Sequence, residues 1–344
     1  MKAQKQMWCG AVAGLALALG VAMTPADAVA ADDVNVQLDW VVRGDHAMFF
    51  VAQSKGYFAK NGINVTAIRK GTGTPDALRL VGNGNAEFGF GDLPTLQVSR
   101  SQGLPVVAIV AVNQKSPLAM ISLAKTLKLT TVQDLKGVNI GIHPAGSTYI
   151  FLKALLAANG MSEADIKESS VSPPYENYLL LGRVQAVPGY MDAEVPELEA
   201  KAGGPGSLSI LQGADHGFIA YGSGVFTSEK MIAEKKDLVT RFIAAYLTAF
   251  QDVIANPAEA VDITAKAVPE YADKKEVLAA ELKADLDATF FSADTKTAGI
   301  GILTKTLWDG TTDTLVKQGA LTDTSKVGAG FDASFVSAAA PLKK

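Results

Sequence analysis

The sequence predicts an α/β architecture in two domains, and three features carry that prediction. From residue 34 onward, short stretches rich in Val and Ile alternate with longer stretches of helical apolar spacing; the alternation restarts near residue 116; and the end of the chain reads as helix upon helix. Strands separated by helices imply βαβ units with parallel pairing in open sheets. A chain of this length also exceeds what one hydrophobic core usually serves.

In the first series, "VNVQLDW" (34–40) is strand by its alternation, and "AMFFVAQSKGYFAKNG" has helical spacing ending at Gly62. "INVTAIRK" returns to strand. "PDALRLVGNG" reads as helix, "AEFGFGD" as strand, "LPTLQVSRSQG" as helix and "PVVAIVAV" as strand. The second series runs "SPLAMISLA" (116–124) and "VNIGIHP" (138–144), then helix "STYIFLKALLAANG", strand "DIKESSVS", helix "YENYLLLGRV", strand "QAVPGYMD" and helix "EVPELEAKAG". After "SLSILQGADHG" comes an extended piece, "FIAYGSGVFTSE" (218–229), and then only helices. Such a tail cannot extend the second sheet, so it is expected to return to the first domain. Domain I is thus expected at 31–117 and 222–344, domain II at 118–221, with crossovers near 114–120 and 215–225.

Residues 1–30 read as a secretory signal peptide. Lys2 and Lys5 precede the uncharged run "GAVAGLALALGVAM", and "ADA" or "AVA" supplies small residues for cleavage. Cys9 lies before the apolar run, where a lipid-attachment cysteine would have to follow it, so a periplasmic protein without a lipid anchor is expected. Cleavage would remove the only cysteine, leaving no disulfide. It would also remove Lys2, Lys5 and Asp27 from 31 basic and 35 acidic residues, for a balance of −5. With no basic stripe to neutralise phosphates, nucleic acid is not an expected partner.

The stretch "LDWVVRGDHAMFF" (38–50) packs Asp39, Trp40, Arg43, Asp45 and His46 between a strand and a helix. Open α/β sheets bind ligands at the carboxyl ends of strands, and the Trp40 indole there could stack on a planar ring; a half-buried core tryptophan is the plainer role. His46 suits a ligand donor or a helix cap. Arg43 suits an anion or a solvated loop. Two helix-start loops correspond between the halves, Gly71, Thr72, Gly73 and Thr74 in the first and Gly146, Ser147 and Thr148 in the second. Each offers helix N–H groups to a ligand, or simply caps. Asp92 is a ligand contact or an N-cap. Gln114 and Ser116 sit at the first crossover, as hinge or ligand residues. Tyr190 and Glu194 would approach from the second domain, Glu194 as an acceptor for an amino group or as a solvated helix residue. Catalytic patterns are weak. There is no G-x-S-x-G, H-E-x-x-H or C-x-x-C, and His46, His143 and His216 are scattered. Neither a metal nor a cofactor is expected.

Together, "LDW…DHAMFFVAQSKGYFAKNGINV", "GNAEFGFGD", "QGLPVVAIVAV", "QKSPLAMISL", "TVQDLKGVNIGI", "GSTY" and "RFIAAYLTAFQDVIANPAEAVDI" resemble the periplasmic substrate-binding proteins of ABC importers. The resemblance is to the group for thiamine-pyrimidine precursors, sulfonates and nitrate, and runs from about residue 34 to about 265. It implies a type II periplasmic-binding-protein fold, with two crossovers and a ligand cleft between the domains. It implies a monomer that binds without chemistry and hands its ligand to a membrane permease with a cytoplasmic ATPase. The pyrimidine-precursor branch carries Leu-Asp-Trp-x-Pro-Asn-x-x-His. Leu38, Asp39, Trp40 and His46 match that pattern, whereas Val42 and Arg43 replace the proline and asparagine. Glu194 stands where that branch keeps a glutamate. A planar pyrimidine-like ligand is therefore expected, with a sulfonate, nitrate or carboxylate as the alternative because of Arg43. An enzyme on the same fold is the remote third reading.

Overall fold

The computed structural model describes residues 31–172 and 176–338; the segment read as a signal peptide lies outside them. Among the described residues ten strands form in chain order: β1 Asp32–Gln37, β2 Ile63–Arg69, β3 Phe88–Asp92, β4 Val106–Ala111, β5 Leu118–Leu123, β6 Asn139–Ile142, β7 Lys167–Ser170, β8 Ala186–Tyr190, β9 Leu208–Gln212 and β10 Ser223–Ser228. They make two five-stranded sheets, ordered β2-β1-β3-β10-β4 and β7-β6-β8-β5-β9. The strand "LSILQ" is an addition to the expected elements. The helix expected after residue 46 is two, Ala47–Ser54 and Tyr57–Lys60, because Gly56 adopts φ 70° between them and ends the first.

The pairing is not wholly parallel, as simple alternation of strand and helix implied. β1 pairs in parallel with β2 and β3, and β6 with β7 and β8, but β10 is antiparallel to β3 and β4, and β5 to β8 and β9. The cause is where the chain enters each sheet. It leaves the first sheet at the carboxyl end of β4 and, after six intervening residues, reaches the second, so β5 starts level with the carboxyl end of β8, Leu118 opposite Tyr190. On the return, β10 starts level with the carboxyl end of β3, Ser223 opposite Asp92. Both strands are therefore reversed.

The two crossovers run side by side. Gly222 N–H donates to Asn113 O (2.9 Å), Ser116 N–H to Ala220 O (2.9 Å) and Asn113 N–H to Ser223 O (3.0 Å). The tail largely covers the first sheet, as expected from its lack of strands. The helix Lys236–Ala255 lays Phe242 flat on Phe88 with centroids 3.7 Å apart, and Phe242 also stacks on Phe58. This helix is long and apolar enough to cross a membrane by composition alone, yet its apolar face is spent on that core. The tail also does more than expected. The helix Lys305–Lys317 grips the second crossover, Thr311 Oγ1 accepting from Tyr221 N–H (3.2 Å) and Thr314 Oγ1 donating to Ile219 O (2.9 Å).

Candidate functional site

Asp39, two residues beyond β1, is the hub of the site. Its backbone carbonyl accepts from Gly73 N–H at 2.7 Å, and Trp40 O accepts from Gly71 N–H at 3.1 Å. The two loops lie so close that a Cβ on Gly71 would stand 2.2 Å from Leu38 O and 2.5 Å from the Asp39 carbonyl carbon, so only glycine fits. These N–H groups are thus spent on the neighbouring loop rather than offered to a ligand. Thr74 Oγ1 donates to Asp39 Oδ2 (3.3 Å) and accepts from Asp92 N–H (3.2 Å).

Arg43 is buried and committed. Its Nη2 donates to Asp39 Oδ2 at 3.0 Å, its Nε to Asp45 Oδ1 at 2.9 Å, and its guanidinium carbon lies 5.0 Å from the centre of the Tyr190 ring. Burial works against the charge, but Asp39, Asp45 and Asp192 raise its pKa well above the ordinary arginine value. Burial would likewise raise Asp39, yet Arg43 and the hydrogen bonds from His46 and Thr74 outweigh it and hold that carboxyl below the usual range. His46 is fully buried behind them. Its Nδ1 faces Arg43 N–H (3.2 Å) and must accept, which leaves Nε2 to donate to Asp39 Oδ1 at 3.1 Å.

From the second sheet, Tyr190 at the end of β8 brings its hydroxyl 2.7 Å from Ser147 Oγ, the first residue of the helix Ser147–Ala158. Glu194 Oε2 accepts from Tyr190 N–H at 2.6 Å. Burial pushes the Tyr190 phenol well above its ordinary pKa, so the hydroxyl stays neutral.

Two compartments open among these groups. A small one of about 30 Å³ lies between Asp39, Trp40, Arg43, Gly73 and Thr74 on one side and Gly146, Ser147, Thr148, Tyr190 and Glu194 on the other, with His143 joining them. That is room for about one water molecule and too little for a ring. A larger one of about 480 Å³ shares Trp40, Arg43 and Glu194 with it, and extends to Glu197 and Lys201 and to Tyr271, Lys274 and Glu281 in the tail.

The remaining expected residues lie elsewhere. His46 and Gly71 support the wall from behind, and Thr72 is exposed, with Oγ1 donating to Asp76 at 3.4 Å. Asp92 caps the helix Leu93–Ser101 through Thr95 N–H (2.8 Å), and burial pushes its pKa up to about 7. Gln114 and Ser116 are buried in the crossover, Gln114 Nε2 donating to Ala111 O and Ile302 O. Sequence reasoning missed His143, although it stands three residues before Gly146. It also missed the tail residues, which carry no local motif.

Behind the compartments Asn113 Nδ2 donates to Asp285 Oδ1 (2.6 Å) and Thr289 Oγ1 (2.7 Å) and lies 3.3 Å from Asp192 Oδ2. Asp192 and Asp285 share Asn113 Nδ2 and repel one another, which favours a proton on the pair. Burial first, and then the mutual repulsion, push Asp285 well above the usual range; burial brings Asp192 to about 7. Asp192 follows β8 and Asp285 sits on the helix Lys275–Ala288, so the pair ties the second sheet to the tail.

Residues 43–260 match the family described as NMT1/THI5 like. The chain belongs to that family. Among its relatives, the riboflavin-binding protein RibY of Chloroflexus aurantiacus is 28% identical over 69% of this chain and 67% of its own. The formylaminopyrimidine-binding protein of Halalkalibacterium halodurans is 27% identical over 70% and 72%. The family match is not confined to proteins named for binding: the 4-amino-5-hydroxymethyl-2-methylpyrimidine phosphate synthase THI13 of Saccharomyces cerevisiae is 25% identical over 67% of this chain and 69% of its own. Among solved structures, a Candida albicans protein described as having the generic periplasmic binding protein fold superposes with a TM-score of 0.67 at 15% identity, covering 88% of this chain and 96% of its own. The alkanesulfonate-binding protein SsuA of Xanthomonas axonopodis gives 0.67 at 17%, over 87% and 98%. The fold is the two-domain α/β fold of periplasmic binding proteins, as the resemblance implied.

Proposed function

We propose that this protein captures a small planar heteroaromatic nutrient of pyrimidine type outside the cytoplasm and delivers it, unaltered, to the permease of an ABC importer driven by a cytoplasmic ATPase. One observation carries the choice of ligand. The Arg43 guanidinium, which would have favoured a sulfonate, nitrate or carboxylate, is committed to Asp39 and Asp45, while the Trp40 indole and the Glu194 carboxyl line both compartments. An aromatic face beside a hydrogen-bond acceptor suits an amino-substituted ring. The family relatives named for riboflavin and formylaminopyrimidine support the same class.

Binding without turnover is supported by the state of Ser147, whose hydroxyl is hydrogen-bonded to a phenol rather than to a base. The chain acts as a monomer whose two domains, 31–117 with 222–344 and 118–221, close about the paired crossovers. In the test, the purified chain from residue 31 is titrated with 4-amino-5-hydroxymethyl-2-methylpyrimidine and with riboflavin. Calorimetric binding and recovery of the compound unchanged are expected. Binding of alkanesulfonates alone, or release of a chemically altered product at steady turnover, refutes the reading.

A further inference from the structure

The helix Lys275–Ala288 lies beyond the family match, which ends at residue 260, yet it touches both the loop that carries Arg43 and the crossovers. Its buried face consists of Leu278, Glu281, Leu282 and Asp285. Leucine alone would pack such a face, and a buried carboxyl costs stability unless it is bonded. Glu281, Asp285 and Thr289, the residue that caps the helix end, are spaced i, i+4 and i+8, which sets them in one row about a turn apart. They are 4%, 1% and 4% exposed, so the whole row is sealed inside the protein.

The row is bonded at both ends. At the first, Glu281 Oε2 accepts from Gly44 N–H at 3.1 Å, and the helix backbone presses so closely that a Cβ on Gly44 would stand 2.4 Å from Leu282 N. Tyr271, ahead of the helix, donates its hydroxyl to Val42 O, so the chain is anchored on either side of Arg43. At the second end, Asp285 Oδ1 and Thr289 Oγ1 both accept from Asn113 Nδ2, at 2.6 and 2.7 Å, and Thr289 O accepts from Gln114 N–H at 2.7 Å. Asn113 is where the crossovers join, its N–H donating to Ser223 O and its carbonyl accepting from Gly222 N–H. Within the row, Thr289 Oγ1 donates to Asp285 Oδ1 at 2.7 Å.

A helix is stiff along its axis, and at about 1.5 Å of rise per residue Glu281 and Thr289 lie about 12 Å apart along it. A rigid element bonded at both ends joins the motions of the parts it holds. Val42 and Arg43 line the larger compartment, whereas Asp285 and Thr289 line neither, so any influence of those two on the site passes through the helix. Resting on the domain closure proposed above, we propose that the helix Lys275–Ala288 is a connecting rod whose Glu281–Asp285–Thr289 row fixes the loop 42–46 to the paired crossovers, so that displacement of the loop by a ligand and closure of the hinge are one movement. Asp285 and Thr289 are then positioning residues for a site they do not touch.

The test is hydrogen exchange on the ligand-free chain from residue 31, read by mass spectrometry over peptides spanning residues 42–46 and 113–116, with β6 as the reference. A change at one end of the row should be felt at the other. Glu281→Ala is expected to speed exchange at 113–116, and Asp285→Ala at 42–46, by about threefold or more, with β6 unchanged. Glu281→Gln and Asp285→Asn keep an oxygen that accepts from Gly44 N–H and from Asn113 Nδ2, and should restore the wild-type rates. Thr289→Val removes only a hydroxyl and gives the same reading at 42–46 should Asp285→Ala fail to fold. The inference falls if each variant speeds only the peptide its own side chain contacts, or if all three peptides speed together, which marks a plain loss of stability. Because no ligand is present, that failure leaves the proposed function standing, and a failed binding titration leaves the rod standing.

Discussion

Replacing Asp192 with asparagine tests the buried carboxyl pair behind the cleft. Burial raises Asp192 from 3.8 to about 7, a gap of roughly three pH units. At about 1.4 kcal/mol per unit this amounts to roughly 4 kcal/mol of pH-dependent stability. The direction follows from proton counting. Between about pH 4 and pH 7 the native protein holds a proton that the unfolded chain has released, so stability falls as pH rises through that window and levels off above it. Asparagine cannot titrate, and its side-chain oxygen can still accept from a protonated Asp285 as the Asp192 carboxyl does. Because Asp92 also titrates near 7 and slopes the same way, the informative quantity is the difference between wild type and variant. Urea unfolding at about pH 4 and about pH 8 should show Asp192→Asn gaining up to about 4 kcal/mol on wild type across the interval. Stability curves that run parallel over the whole range would refute the raised pKa of Asp192.

Three further outcomes follow from the same geometry. Arg43→Ala leaves the buried Asp39 and Asp45 without their cation, so chemical unfolding should register a loss of about 3–5 kcal/mol; an unchanged midpoint would contradict the buried network. Gly71→Ala forces a Cβ onto the backbone of Leu38 and Asp39, and a loss above about 2 kcal/mol is expected by the same assay, with a neutral result excluding this loop contact. Trp308 is fully buried, donates Nε1–H to Val327 O at 3.1 Å and lines neither compartment, so riboflavin should quench tryptophan emission in Trp308→Phe but not in Trp40→Phe; the reverse pattern would move the site.

The sequence by itself determined the order of most elements, β9 apart, and most residues of the small compartment. Both are written in local signals: strand alternation, helical spacing, and glycine with serine or threonine where helices begin. The groups that line the compartment cluster in a few short loops because each follows the carboxyl end of a strand, and that position is recoverable from the strand itself. Only the tertiary structure decided the directions of β5 and β10, since direction depends on where the crossovers deliver the chain rather than on any residue within the strand. It also decided the fate of Arg43. Asp39 and Asp45 were visible beside it, but whether a guanidinium serves a ligand or its neighbours turns on burial, and burial is set by the whole fold. The far wall was the least legible. Glu281 meets Gly44 across 237 positions of chain, Asp285 meets Asn113 across 172, and no periodicity or motif connects residues that only packing brings together.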